Sequence, residues 1–149
     1  MKPDINKALV NLAQELIQRF SPLLEDEYEQ SRLNSWGTLL LIASMELDKV
    51  VENLIEQNKM IKVFLKKYLS NIKDKQLAQD IEFQIKQKGS KYDVSILDEV
   101  NQNLRGILVR AHSYFENDRN SVALRECWKI LRVMHDHRKV SHLLTLLRN

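Results

Sequence analysis

Glycine, proline and cysteine are scarce in this chain, at three, two and one in 149 residues. Sheet-rich domains need turn residues about every eight to twelve positions, so the shortage of glycine and proline points to long helices. Three glycines can hardly build a phosphate loop, a dinucleotide fingerprint or a nucleophile elbow, and none of those motifs occurs. The single cysteine, Cys127, excludes an internal disulfide and any thiolate-cluster zinc site, and it fits a reducing compartment. Long apolar runs are missing too. The longest, "LLLIA" at residues 39–43, is far short of the roughly 20 residues a membrane span needs. The N-terminal "MKPDINKALVNLAQEL" carries charges throughout and no signal-peptide core. The expectation is a cytoplasmic chain with no membrane partner.

What is present reads as globular: 44% hydrophobic and 29% charged residues, in a length that suits one domain over residues 1–149. The net charge of +3 conceals alternating blocks. Residues 21–57 hold eight acids and two bases, densest in "EDEYE" at residues 25–29; residues 58–75 hold six bases and one acid. Residues 119–149 hold seven bases and two acids. Such blocks can pair within a fold, pair between subunits, or present a basic face to an anion.

Helical periodicity recurs along the chain. Ile5, Leu9, Leu12 and Leu16 form one stripe behind a candidate N-cap, Asp4, and Ser21-Pro22 interrupts that helix or opens another. Trp36, Leu40, Ala43, Leu47, Val50 and Leu54 keep a heptad spacing that continues through Gln57 to Ile61, Phe64 and Tyr68. This seam is either one helix of about 33 residues, nearly 50 Å long, or a pair broken near Gln57-Asn58. A third stripe comprises Leu97, Val100, Leu104, Ile107, Ala111 and Tyr114, with Asp93 or Ser95 as cap. A fourth begins at Ser121 and carries Ala123, Leu124, Cys127, Trp128, Leu131 and Met134. Between them, "DIEFQIKQKGSKYDV" alternates as a strand would. Leu77, Ile81 and Ile85 also stack at helical spacing, and a lone hairpin would have no sheet to join, so the segment is assigned to a helix ending near Gly89. The fold expected is an all-α antiparallel bundle of five or six helices, with one long central helix or helix pair.

Candidate chemistry is thin. "RVMHDHRKVSH" at residues 132–142 places three of four histidines together. On a helix, His135 and His137 diverge, and His135 and His142 lie about 10 Å apart, too far for one ion with first-shell bonds of about 2 Å. No Glu-x-x-His and no His-Glu-x-x-His occurs. A break is expected between Asp136 and Ser141, because the apolar residues beyond it change sides of the wheel. Lys59, Lys62, Lys66 and Lys67 sort away from Phe64 and Tyr68, whereas a nucleic-acid platform exposes aromatics among its bases.

The remaining signal is "LRGILVRAHSYFEND". Arg105, six residues, His112, then Ser113 and Tyr114 resemble the Arg-x(4–6)-His pattern of HEPN-type ribonucleases, themselves small and all-helical. The resemblance covers about ten residues and has Gly106 where the commoner form has a polar residue. It implies Arg105 on a phosphate and His112 as acid or base in RNA cleavage across a dimer. Pairing of Arg105 with Asn101 or Asp98, and of His112 with Glu116, is the simpler account. The reading therefore assigns no catalytic, cofactor-binding or metal residue and no cofactor. It expects a helical bundle acting through protein–protein contact, with a second copy of itself as partner and nucleic acid not expected. Its argument for the second copy is that an unbroken seam would leave Ile61 to Tyr68 protruding uncovered.

Overall fold

The computed structural model describes residues 4–47, 49–87 and 93–139. Among them the protein is all-α, with six α-helices and no strand: α1 Ile5–Gln14, α2 Glu27–Leu47, α3 Val50–Tyr68, α4 Lys75–Lys86, α5 Val94–Asn117 and α6 Ser121–Asp136. Contacts group the chain into two compact units, one running to Val50 and including Lys139, the other Val51–Arg138.

The first unit is a helical hairpin. Asp4 caps α1 by accepting from the Lys7 amide, as its sequence position suggests. The helix then widens into a π-helical stretch, Glu15–Phe20, and tightens into a 3-10 turn, Ser21–Leu23, where Pro22 has no N–H to give. Ser21 Oγ donates to the Gln30 backbone carbonyl, and Gln30 Nε2 closes the turn on the Leu24 carbonyl at 2.6 Å. Ile17 lies against Gly37, so the two helices run antiparallel. The closeness depends on glycine: a Cβ at position 37 would stand 2.5 Å from Ile17 Cγ1.

The second unit is an up-down-up-down four-helix bundle. Lys67 of α3 meets Glu126 of α6, and Asp80 of α4 meets Arg110 of α5, so those neighbours are antiparallel. α3 and α5 run parallel on the diagonal, with Asn58 at Leu97 and Tyr68 against Phe115. The core lies wholly here, from Ile61 through Leu104, Leu108 and Phe115 to Met134. Its centre is an aromatic cluster in which Phe115 meets Phe64 and Tyr68 edge-on at centroid separations of 6.1 and 5.6 Å. Residues 81–86 are helical, with Leu77 and Ile81 buried, so the strand alternative is excluded there. Gly89 lies outside the described residues. α6 ends at Asp136, inside the interval where a break is expected, and Asp93 caps α5.

Two expectations need correction. The seam over residues 36–68 is a helix pair, and its break falls between Leu47 and Val50, about ten residues before Gln57-Asn58. Ile61, Phe64 and Tyr68 do not protrude; they are core residues of the four-helix unit. The stretch left uncovered is the other half. Trp36, Ala43 and Leu47 are exposed, and in α1 so are Ile5 and Leu12.

Candidate functional site

The residues singled out by the nuclease resemblance have separate engagements. His112 Nδ1 lies 3.6 Å from Glu116 Oε2, the local pairing expected for it, and its ring stands edge-on to Trp128 at 5.5 Å. Its Nε2 is buried without a partner, so neither ring nitrogen is open to a substrate. The Tyr114 hydroxyl accepts from the Lys73 amide at 3.0 Å and lies 3.4 Å from the Asn71 carbonyl, tying α5 to the connection after α3. Arg105 sits two turns below His112 on α5, about 10 Å along the axis. Its charge is felt by Arg138, whose guanidinium pKa is lowered by burial and then by Arg105, with Asp98 opposing.

The histidine cluster is described only at His135 and His137. His135 is exposed, His137 caps the end of α6, and His142 lies outside the described residues. Among the described residues, no three of His, Cys, Asp and Glu gather as metal ligands. His137 instead ends a polar chain that sequence reasoning did not find. Asn58 Nδ2 donates to the Leu97 carbonyl at 3.0 Å, and Asn101 Nδ2 donates to Asn58 Oδ1 at 3.0 Å and to Gln57 Oε1 at 3.3 Å. Gln57 Nε2 lies 3.1 Å from His137 Nδ1, and Glu56 stands 3.5 Å from the other ring nitrogen. All three amides are buried. The chain pins α3, α5 and the end of α6 in one register, because sliding any helix would orphan buried polar groups. A polar residue on each of two apolar stripes, Gln57 and Asn101, was the available signal.

Two surfaces remain. The first is one side of the hairpin. The buried residues of α1, α2 and the turns between them are Ala13, Ser21, Gly37 and Ser44, all small. Leu12 is 56% exposed, Trp36 51% and Leu39 62%. At about 100° per residue, Ile5 and Leu12 lie to one side of the Ala13 contact line. Trp36, Ala43 and Leu47 lie to the corresponding side of the Gly37–Ser44 line. In an antiparallel pair those flanks face the same way, so the exposed apolar residues gather on one side of the hairpin, where Arg32 also lies, 5.3 Å over the Trp36 ring and paired with Glu29. The second surface is a groove of about 550 Å³ between α3 and α6, lined by Met60, Val63 and Ile130 among others and by three lysines. No family model matches the chain, and no curated protein or solved structure proved similar to it. Among the described residues no helix is long and apolar enough to cross a membrane.

Proposed function

We propose that this protein is a non-enzymatic helical module that acts through protein–protein contact, and that its partner is a second copy of itself. One observation carries the reading: the α1–α2 hairpin buries only small side chains and leaves Ile5, Leu12, Trp36, Leu39 and Leu47 exposed. Two helices bury an apolar side only against a further layer, and a twofold pair of hairpins makes four helices without any new sequence.

The magnitudes suit a reversible dimer. Covering five half-exposed side chains on each of two copies is worth roughly 1 kcal/mol apiece. Subtracting an association cost of at least about 4 kcal/mol leaves at most about 6 kcal/mol, a dissociation constant no tighter than tens of micromolar. Sedimentation velocity from about 5 to 500 µM should show the 17.6 kDa chain giving way to twice that mass. Trp36→Asp with Leu39→Asp should hold it monomeric, and a monomer across that range for the unmodified chain would end the proposal. A reducing cytoplasm is the compartment we assign, on the strength of a lone buried cysteine. The rival reading, RNA cleavage by Arg105 and His112, has no geometric observation in its favour. It would require single-stranded RNA degradation that disappears in both Arg105→Ala and His112→Ala; we expect no cleavage at all.

A further inference from the structure

We infer that the groove between α3 and α6 is a socket for the α1–α2 turn of a second copy, an inference that rests on the self-association reading and assigns it a second contact. Part of the lining is apolar, and Val63 within it is 60% exposed. Five charged side chains also line the groove. Lys67 is committed to Glu126 at 2.6 Å and Glu56 faces His137, which leaves Lys59 and Lys129 with no ion pair among the described residues. The groove therefore offers the Lys59 ammonium, and that of Lys129, which acts on Glu126 only through its charge, beside exposed apolar surface.

The turn presents the complementary chemistry. Leu23 is 74% exposed and Tyr28 69%, the two highest values among the exposed large apolar side chains. Glu25 and Glu27 lie between them in sequence, and neither makes an ion pair among the described residues. Asp26 is occupied, accepting from the Tyr28 amide at 2.7 Å and the Glu29 amide at 3.3 Å. With Gln30 on the Leu24 carbonyl and Ser21 on Gln30, these bonds hold the turn in one shape. A knob fixed in advance loses little conformational freedom on docking. Leu23 and Tyr28 enter over Met60 and Val63, while Glu25 and Glu27 meet Lys59 and Lys129.

Charge reversal on the full-length chain tests this. Glu25→Lys with Glu27→Lys reverses the knob, and Lys59→Glu with Lys129→Glu reverses the socket. All four positions are on the surface, and circular dichroism checks that helicity is kept. Each pair should weaken self-association at least tenfold in about 50 mM salt, where the Debye length exceeds about 10 Å. Combining both pairs in one chain should restore the association to within about threefold of the unmodified protein. A fluorescent peptide of sequence SPLLEDEYEQS should bind the full chain by anisotropy and lose binding in the socket variant. A dimer that persists unchanged in both reversed variants, or a peptide that does not bind, overturns the socket and leaves the hairpin contact standing. Weakening without rescue in the combined variant also overturns it, because the two patches then act independently. An unmodified chain that stays monomeric overturns both readings.

Discussion

One backbone atom sets the direction of the amide chain at Asn101. The Leu97 carbonyl can only accept, so Asn58 turns its nitrogen there and its oxygen toward Asn101. Asn101 then donates to Gln57 Oε1, which leaves Gln57 its nitrogen for His137. His137 Nδ1 must accept, and the neutral ring carries its hydrogen on Nε2, toward Glu56. Long-range ¹H–¹⁵N correlation spectra at mildly alkaline pH are expected to show the Nε2–H tautomer; the Nδ1–H form would reverse the chain. Asn101→Leu takes away the donor and orphans two buried acceptors, each at a cost of about 1–3 kcal/mol. Part of this is offset because the Asn101 oxygen, buried without a partner, is removed too. Urea unfolding should show a loss of about 2–4 kcal/mol, and an unchanged midpoint would refute the network. A second residue-scale expectation concerns Cys127, whose thiol is pushed up to about 11 by burial and then by the charge of Glu116. Because the folded value is raised, the contribution to stability is complete below the unfolded value near 9.0 and is lost as pH climbs through about 11. Between those limits the unmodified protein should lose stability faster than Cys127→Ala, by an amount approaching about 2–3 kcal/mol. Parallel pH profiles for the two proteins would contradict it.

At the level of helices, caps and stripes were legible and breaks were not. Asp4 and Asp93 could be read as caps because a short acceptor before an apolar period satisfies amides that the helix leaves open. The heptad over residues 36–68 failed as a guide to continuity because its spacing passes through residues 48–49 without losing phase, and neither glycine nor proline marks the break. The stripe also hid a change of role. Its first half is on the surface, and from Leu54 onward it is core, since periodicity records which residues share a face and not what that face meets. Glycine substitutions separate the two helical environments. Gly106 lies in α5 with open space where a Cβ would project, so Gly106→Ala should stabilise the bundle by about 0.5–1 kcal/mol. Gly37→Ala puts a methyl against Ile17 and 3.1 Å from the Ala13 carbonyl, and should destabilise the hairpin by about 1–3 kcal/mol. Thermal melts followed at 222 nm check both, and the same sign for both would contradict this account of α1 against α2.

For the whole molecule, the division into two units predicts unequal self-sufficiency. The apolar core from Ile61 to Met134 belongs entirely to the stretch Val51–Arg138, as do the amide chain and the interhelical ion pairs Lys67–Glu126 and Arg110–Asp80. A four-helix unit of this length can bury about 60% of its unfolded surface, enough for independent folding. The hairpin has nothing comparable, since its buried residues are an alanine, a glycine and two serines. α1, at ten residues, is too short to be stable in water without packing, and α2 has only α1 to pack against within the hairpin. A fragment of residues 51–139 should therefore unfold cooperatively in urea, with α-helical circular dichroism. A fragment of residues 1–50 should be largely unstructured at low micromolar concentration and gain helicity as concentration rises, because only a second hairpin supplies the missing layer. The α-helical class was legible from composition because scarce glycine and proline speak about the entire chain. The unequal burial was not, because it depends on which stripe meets which. Helicity in the short fragment that stays the same across concentration would show that the hairpin needs no partner, and would remove the main support for self-association.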